Sequence, residues 1–143
     1  SALFPYTTLF RSTLPGASPA PLLAGARILV VDDDPDVRTM TVAMLEDLGH
    51  RVSSAGSGQE ALDLLRYEAP DLLLVDFVMP EMNGAELARA VRARGIVAPI
   101  VFATGFAESA AIEAALGEAP LVLRKPFDLV SLSRLIGEGL GRR

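Results

Sequence analysis

The chain has no cysteine, which excludes a disulfide framework, a thiol nucleophile and a zinc–thiolate centre. Tryptophan is absent too, and His50 is the only histidine. No apolar run approaches the roughly 20 residues that a membrane-spanning helix needs. The opening residues lack the positive flank of a secretory signal. Positive charge is in short supply: 13 Lys and Arg face 18 Asp and Glu, for a net charge of −5. Nucleic-acid backbones are bound by clustered cations, so such binding is not the main business of this chain. What remains is 143 residues, half of them hydrophobic and 22% charged, which suits one globular domain with a tail. A cytoplasmic domain with neither membrane nor nucleic-acid contact is expected.

The first 25 residues differ in character from the rest. Leu3 to Ser12 resembles the in-frame translation of a common sequencing-adapter oligonucleotide. Thr13 to Gly25, punctuated by Pro15, Gly16, Pro19 and Pro21, reads as an interdomain linker. Residues 1–25 are therefore expected to be a disordered artefact-and-linker segment, and 26–143 the folded domain. A linker in front suggests that the domain once followed another.

From Arg27 onward the pattern is regular. Ile28 to Val31 and Leu72 to Val75 are uninterrupted apolar runs, as expected of strands covered on both faces, and each ends on acid: Asp32, Asp33 and Asp34 after the first, Asp76 after the second. Arg51 to Ala55, Pro99 to Ala103 and Leu121 to Leu123 read as three further strands. Between them, Val37, Met40, Met44, Leu45 and Leu48 recur at helical spacing until Gly49. Ser57 with Glu60, and Asn83 with Glu86, have the capping-box pattern. Glu108 to Leu116 reads as an Ala-rich helix, and Asp128 caps a last one carrying Leu129, Leu132, Leu135 and Ile136. Five alternations of strand and helix with short connections predict an α/β fold, a doubly wound parallel sheet with helices on both faces.

In a parallel sheet the carboxyl ends of all strands share one edge. That edge would gather Asp32, Asp33, Asp76, Thr104 and Lys125. Three crowded carboxylates repel, and a hard divalent cation such as Mg²⁺ removes the conflict. Asp76 could then attack phosphorus as a nucleophile, with Lys125 and Thr104 holding the phosphoryl oxygens.

The segments Leu29-Val-Val-Asp32-Asp33, Val75-Asp76-x-x-Met-Pro80-x-Met-x-Gly84, Ala103-Thr104 and Lys125-Pro126-Phe127 come in this order at suitable spacing. Residues 27 to 136 thereby resemble a response-regulator receiver domain of two-component signalling. The resemblance implies a flavodoxin-like (CheY-like) sheet of order 2-1-3-4-5. It also implies Asp76 as phosphoacceptor, Mg²⁺ held by Asp33 directly, by Asp32 largely through water, by Asp76 and by the Val78 carbonyl. Thr104 would be the switch hydroxyl, Lys125 the phosphoryl contact, and Lys125–Pro126 a cis bond. The implied partner is a histidine kinase or a histidine phosphotransfer domain, and the implied state a monomer or weak dimer. The front linker, the end at Arg143 and the Thr104 loop are similar to the C-terminal receiver of a hybrid sensor histidine kinase, with a stand-alone regulator as the alternative.

Some residues have plainer readings. Asp34 suits a helix cap better than a ligand. His50 is a half-exposed polar residue at a strand start rather than a phosphodonor. Met79 and Met82 are loop packing, and Arg124 a solvated neighbour of Lys125. The family's frequent aromatic three positions before Lys125 is Val122 here, which calls the Thr–aromatic coupling into question. Val78 and Phe106, two residues beyond Asp76 and Thr104, are apolar and cannot orient water, so slow loss of phosphoryl is expected, and a Val78→Asn, Phe106→Glu double change should speed it. Asp32-Asp33-Asp34 also fits the Asp-x-Asp opening of haloacid-dehalogenase-type phosphatases, with Asp32 as nucleophile. That reading leaves Asp76 and its loop unexplained and finds Asp128 alone where a second acidic pair is needed. A non-phosphorylated scaffold would leave the whole acidic set without a role.

Overall fold

The computed structural model describes residues 25–105, 112 and 120–142. Within them the order is β1 (Arg27–Val31), α1 (Pro35–Asp47), β2 (Arg51–Ala55), α2 (Gly58–Leu64), β3 (Leu72–Asp76), α3 (Gly84–Ala93), β4 (Ile100–Thr104), β5 (Leu121–Arg124) and α4 (Leu129–Gly141). The expected adapter-like segment, Phe106 and most of the expected helix over 108–116 lie outside the described residues.

All strand pairings are parallel and the sheet order is β2-β1-β3-β4-β5, the flavodoxin-like arrangement. The uninterrupted runs are explained by what covers each face. Leu29, Val31, Leu73 and Val75 point to one side, where they meet Ala61 and Leu62 of α2 and Leu87 and Val91 of α3. Ile28, Val30, Leu72 and Leu74 point to the other, against Leu45 of α1 and Leu132 and Ile136 of α4. Successive strand residues face opposite ways, so a strand covered twice must be apolar throughout.

The caps are local and hold each helix start in place. Asp34 accepts from the amides of Asp36 and Val37, and Asp128 from Ser131. Asn83 and Glu86 form the full reciprocal box, whereas Glu60 reaches past Ser57 to the amide of Gly56 at 3.2 Å.

Of the α1 residues that recur at helical spacing, Met40 is 55% exposed, while Thr41 is buried and its hydroxyl donates to the Val37 carbonyl at 2.8 Å. One reading needs correction. His50 is buried rather than half-exposed; its Nδ1 has no partner among the described residues, and burial lowers its pKa. It immediately precedes β2, at the amino-terminal end of that strand, whereas the acids lie at the carboxyl ends of β1 and β3.

Candidate functional site

The parallel ladder carries the site residues itself. Beyond the last strand residues the main chain stays paired: Asp32 N–H donates to Ala55 at 3.1 Å, Phe77 to Ala103 at 2.9 Å and Lys125 to Thr104 at 2.8 Å. Val31 is level with Val75, so Asp32 and Asp76 sit side by side at the centre of the sheet. Asp76 is level with Ala103, and Thr104 with Arg124, which places Thr104 and Lys125 on the same edge. Side chains anchored this way have little freedom to drift, because the backbone beneath them is part of the sheet.

Asp32, Asp33 and Asp76 each offer a carboxylate oxygen within 4.8 Å of the others. Asp32 and Asp76 are buried, while Asp33 is open to solvent. Lys125 Nζ lies 3.0 Å from Asp32 Oδ2 and 3.4 Å from Asp76 Oδ1. The other Asp32 oxygen accepts from the Asp34 amide at 2.9 Å. One ammonium between buried acids leaves the cluster short of positive charge.

Asp76 registers that shortage. Burial pushes its pKa from 3.8 up to about 6; the Lys125 charge pulls it down and the Asp32 charge pushes it further up. The Val78 amide adds a hydrogen bond that favours the ionised form. Lys125 is raised: burial works against its charge, but the hydrogen bond to Asp32 and the charges of Asp76 and Asp32 outweigh it. Hard oxygen donors, one exposed and two buried, with a surplus of negative charge, fit Mg²⁺.

The loop after β3 is folded tightly against the site. Phe77 accepts from the Gly84 amide at 2.8 Å, and Met82 N–H donates to Pro80 at 2.7 Å across Glu81, whose φ is +69°. That is a γ-turn with a residue in the left-handed region. Met79 is buried and Met82 rests on α2, where a Cβ at Gly58 would lie 2.5 Å from its Sδ. Both methionines are packing residues, as expected. A Cβ at Gly84 would stand 2.8 Å from Phe77 Cα and 3.0 Å from the Asp76 carbonyl oxygen, so only glycine admits this approach.

Thr104 is buried at the end of β4, and Val122 is half-buried in β5, against the core face that holds Leu73 and Phe102. Lys125–Pro126 is cis. Asp128 caps α4 and leaves no second acidic pair beyond Lys125, so the phosphatase reading lacks its structural counterpart among the described residues. One residue that sequence reasoning missed is Arg38, whose Nη1 donates to the Asp32 carbonyl at 2.7 Å. Its only sequence signal is a cation on the first turn of the helix that follows the acids.

A family model for the response regulator receiver domain matches residues 28–136. The chain belongs to that family. Among its relatives, the response regulator receiver protein CpdR of Brucella abortus is 42% identical over 109 residues, spanning 74% of this chain and 89% of that protein. A receiver domain protein from Clostridium thermocellum superposes with a TM-score of 0.75 at 27% identity, over 82% of this chain and 95% of the other. The signal receiver domain of a signal transduction histidine kinase from Syntrophus aciditrophicus gives 0.71 at 27% identity, over 82% and 92%. The receiver fold is thus shared with these proteins, and no helix among the described residues is long and apolar enough to cross a membrane.

Proposed function

We propose that this receiver takes a phosphoryl group from a phosphohistidine of a histidine kinase or phosphotransfer domain onto Asp76. The observation that carries the reading is the position of Asp76, buried at the end of the central strand between Lys125 and Asp32. An Asp76 oxygen attacks phosphorus, the P–O bond forms as the P–N bond breaks, and the imidazole leaves and takes up a proton. The attack needs the ionised carboxylate, which the Val78 amide and Lys125 favour. Lys125, now bound to Asp32, is the cation within reach of the incoming phosphoryl oxygens, and the Thr104 hydroxyl donates to another. Asp33, Asp76, the Val78 carbonyl and, through water, Asp32 would hold Mg²⁺, which would supply the positive charge that the cluster lacks.

Phosphorylation biases two conformations of the receiver by at most its differential interaction with them. With Val122 in place of an aromatic, Thr104 and the loop that follows carry the switch. The protein works in the cytoplasm as a monomer or weak dimer. Its parent is a hybrid sensor histidine kinase, a reading supported by the likeness to the Syntrophus kinase receiver. The span of 89% of CpdR favours the second reading, a stand-alone regulator.

The test is intact-protein mass after incubation with acetyl phosphate and Mg²⁺, for wild type, Asp76→Asn and Asp32→Asn. One phosphoryl group that disappears in Asp76→Asn is expected. A label that survives in Asp76→Asn and is lost in Asp32→Asn would move the nucleophile to β1.

A further inference from the structure

Asp33 differs from its two acidic neighbours. Asp32 and Asp76 are fixed by Lys125 and by backbone amides. The Asp33 carboxylate accepts no hydrogen bond among the described residues, and it is exposed. Its direction is therefore set through its own backbone. The Asp32–Asp33 peptide lies between two bonded amides: that of Asp32, which donates to Ala55, and that of Asp34, which donates to Asp32 Oδ1. The carbonyl of this peptide, on Asp32, is taken by Arg38.

Arg38 is half-buried, forms no ion pair among the described residues, and spends its 2.7 Å bond on that carbonyl. The place for its guanidinium is made by Gly56 in the turn after β2. A Cβ there would lie 3.1 Å from Nη1 and 3.6 Å from Cζ. The backbone at Gly56 is not in the left-handed region, so conformation does not call for glycine at this position; space does.

We propose that Arg38 is a positioning residue for the cation site: it locks the Asp32–Asp33 peptide so that the Asp33 carboxylate faces Asp32 and Asp76, and Gly56 is the notch that admits it. The inference rests on the phosphoacceptor reading with Mg²⁺. Position and charge pull in opposite directions here. A positive charge beside the site repels a cation, so if Arg38 acted by charge alone its removal would tighten Mg²⁺ binding. If it acts by position, removal weakens it, as loss of groups that orient metal ligands does, by about tenfold to a hundredfold.

The experiment is a Mg²⁺ titration of the full 143-residue chain, read as the rise in Tm by circular dichroism over the value in EDTA. Arg38→Gln and Gly56→Val, the second keeping every charge, are both expected to raise the apparent Mg²⁺ dissociation constant about tenfold or more. Arg38→Lys, which keeps one donor and the charge, should recover part of the loss. A purely structural role would lower the Tm in EDTA and leave the dissociation constant alone, which overturns the proposal. Tighter binding in Arg38→Gln, or unchanged binding in Gly56→Val, overturns it too. A wild type that does not respond to Mg²⁺ removes the cation reading along with it, whereas a responding wild type with responding variants removes only the role of Arg38.

Discussion

Replacing Asp76 by Asn should stabilise the protein in the absence of divalent cations. The pKa of Asp76 is raised from 3.8 to about 6, chiefly by burial. Each unit is about 1.4 kcal/mol, so the ionised carboxylate costs the fold at most about 3 kcal/mol. Solvent at the open edge of the site screens part of this, and Asn gives up the contact with Lys125, which leaves about 1–2 kcal/mol. The pH dependence has a definite sign. Between 3.8 and about 6 the unfolded chain loses the Asp76 proton first, so the folded state binds more protons and wild-type stability falls as pH rises. Below that window the acid is neutral in both states and the penalty disappears. Urea unfolding in EDTA, followed by circular dichroism, should therefore find Asp76→Asn more stable than wild type at pH 7.5 and nearly equal at pH 4. Comparing the two variants at each pH cancels the titration of the other acids. Added Mg²⁺ should narrow the gap at pH 7.5, because it binds the folded wild type. An Asn variant that is no more stable at pH 7.5, or whose advantage is the same at pH 4, would refute the argument that burial of charge dominates at this position.

Three further outcomes are expected. Val78→Asn places an amide where the apolar side chain is now 55% exposed beside Asp76, and should shorten the phosphoryl lifetime severalfold, measured as loss of mass with time. Gly84→Ala sets a Cβ against backbone at 2.8 and 3.0 Å, where nothing flexible can yield, and should cost about 1–3 kcal/mol; Gly58→Ala meets the Met82 side chain, which can turn aside more readily than backbone, and should cost less, both by urea unfolding. Leu73→Ala, at a fully buried position in the central strand, should cost about 2–5 kcal/mol by the same assay, with the site residues otherwise intact.

How far the structure could be read from the sequence depends on how local each cause is. The caps at Asp34, Asn83 and Asp128 were legible because a cap joins residues two or three apart. The strands were legible because double coverage leaves no alternation, and an acid that stops such a run marks the sheet edge. Which of Met40 and Thr41 is buried is something that spacing cannot resolve. Both lie on arcs that overlap along α1, and Thr41 can be buried because the Val37 carbonyl satisfies its hydroxyl. The burial of His50 depends on how α1 delivers the chain to β2, with its amide on the Leu45 carbonyl. The Arg38 bond depends on the angle at which α1 crosses the end of β1, and no motif encodes an angle.

The site itself shows why the parts that were hidden are the ones that tune it. Residue types alone supply three carboxylates and one ammonium, and that inventory already leaves the cluster negative. Its use as a responsive site depends on which carboxylate the ammonium prefers. Lys125 lies closer to Asp32 than to Asp76, and its charge only partly offsets the burial of Asp76. A lysine centred on Asp76 would offset more of that burial. The 3.0 and 3.4 Å distances follow from the register of β1, β3 and β5, with Asp32 and Lys125 each one residue beyond its strand and Asp76 the last residue of its own. Moving either pairing by one residue would turn these side chains to the other face of the sheet. The hydrophobic core therefore sets the electrostatics of Asp76: the apolar runs fix the register, and the register fixes how near the lysine comes to it.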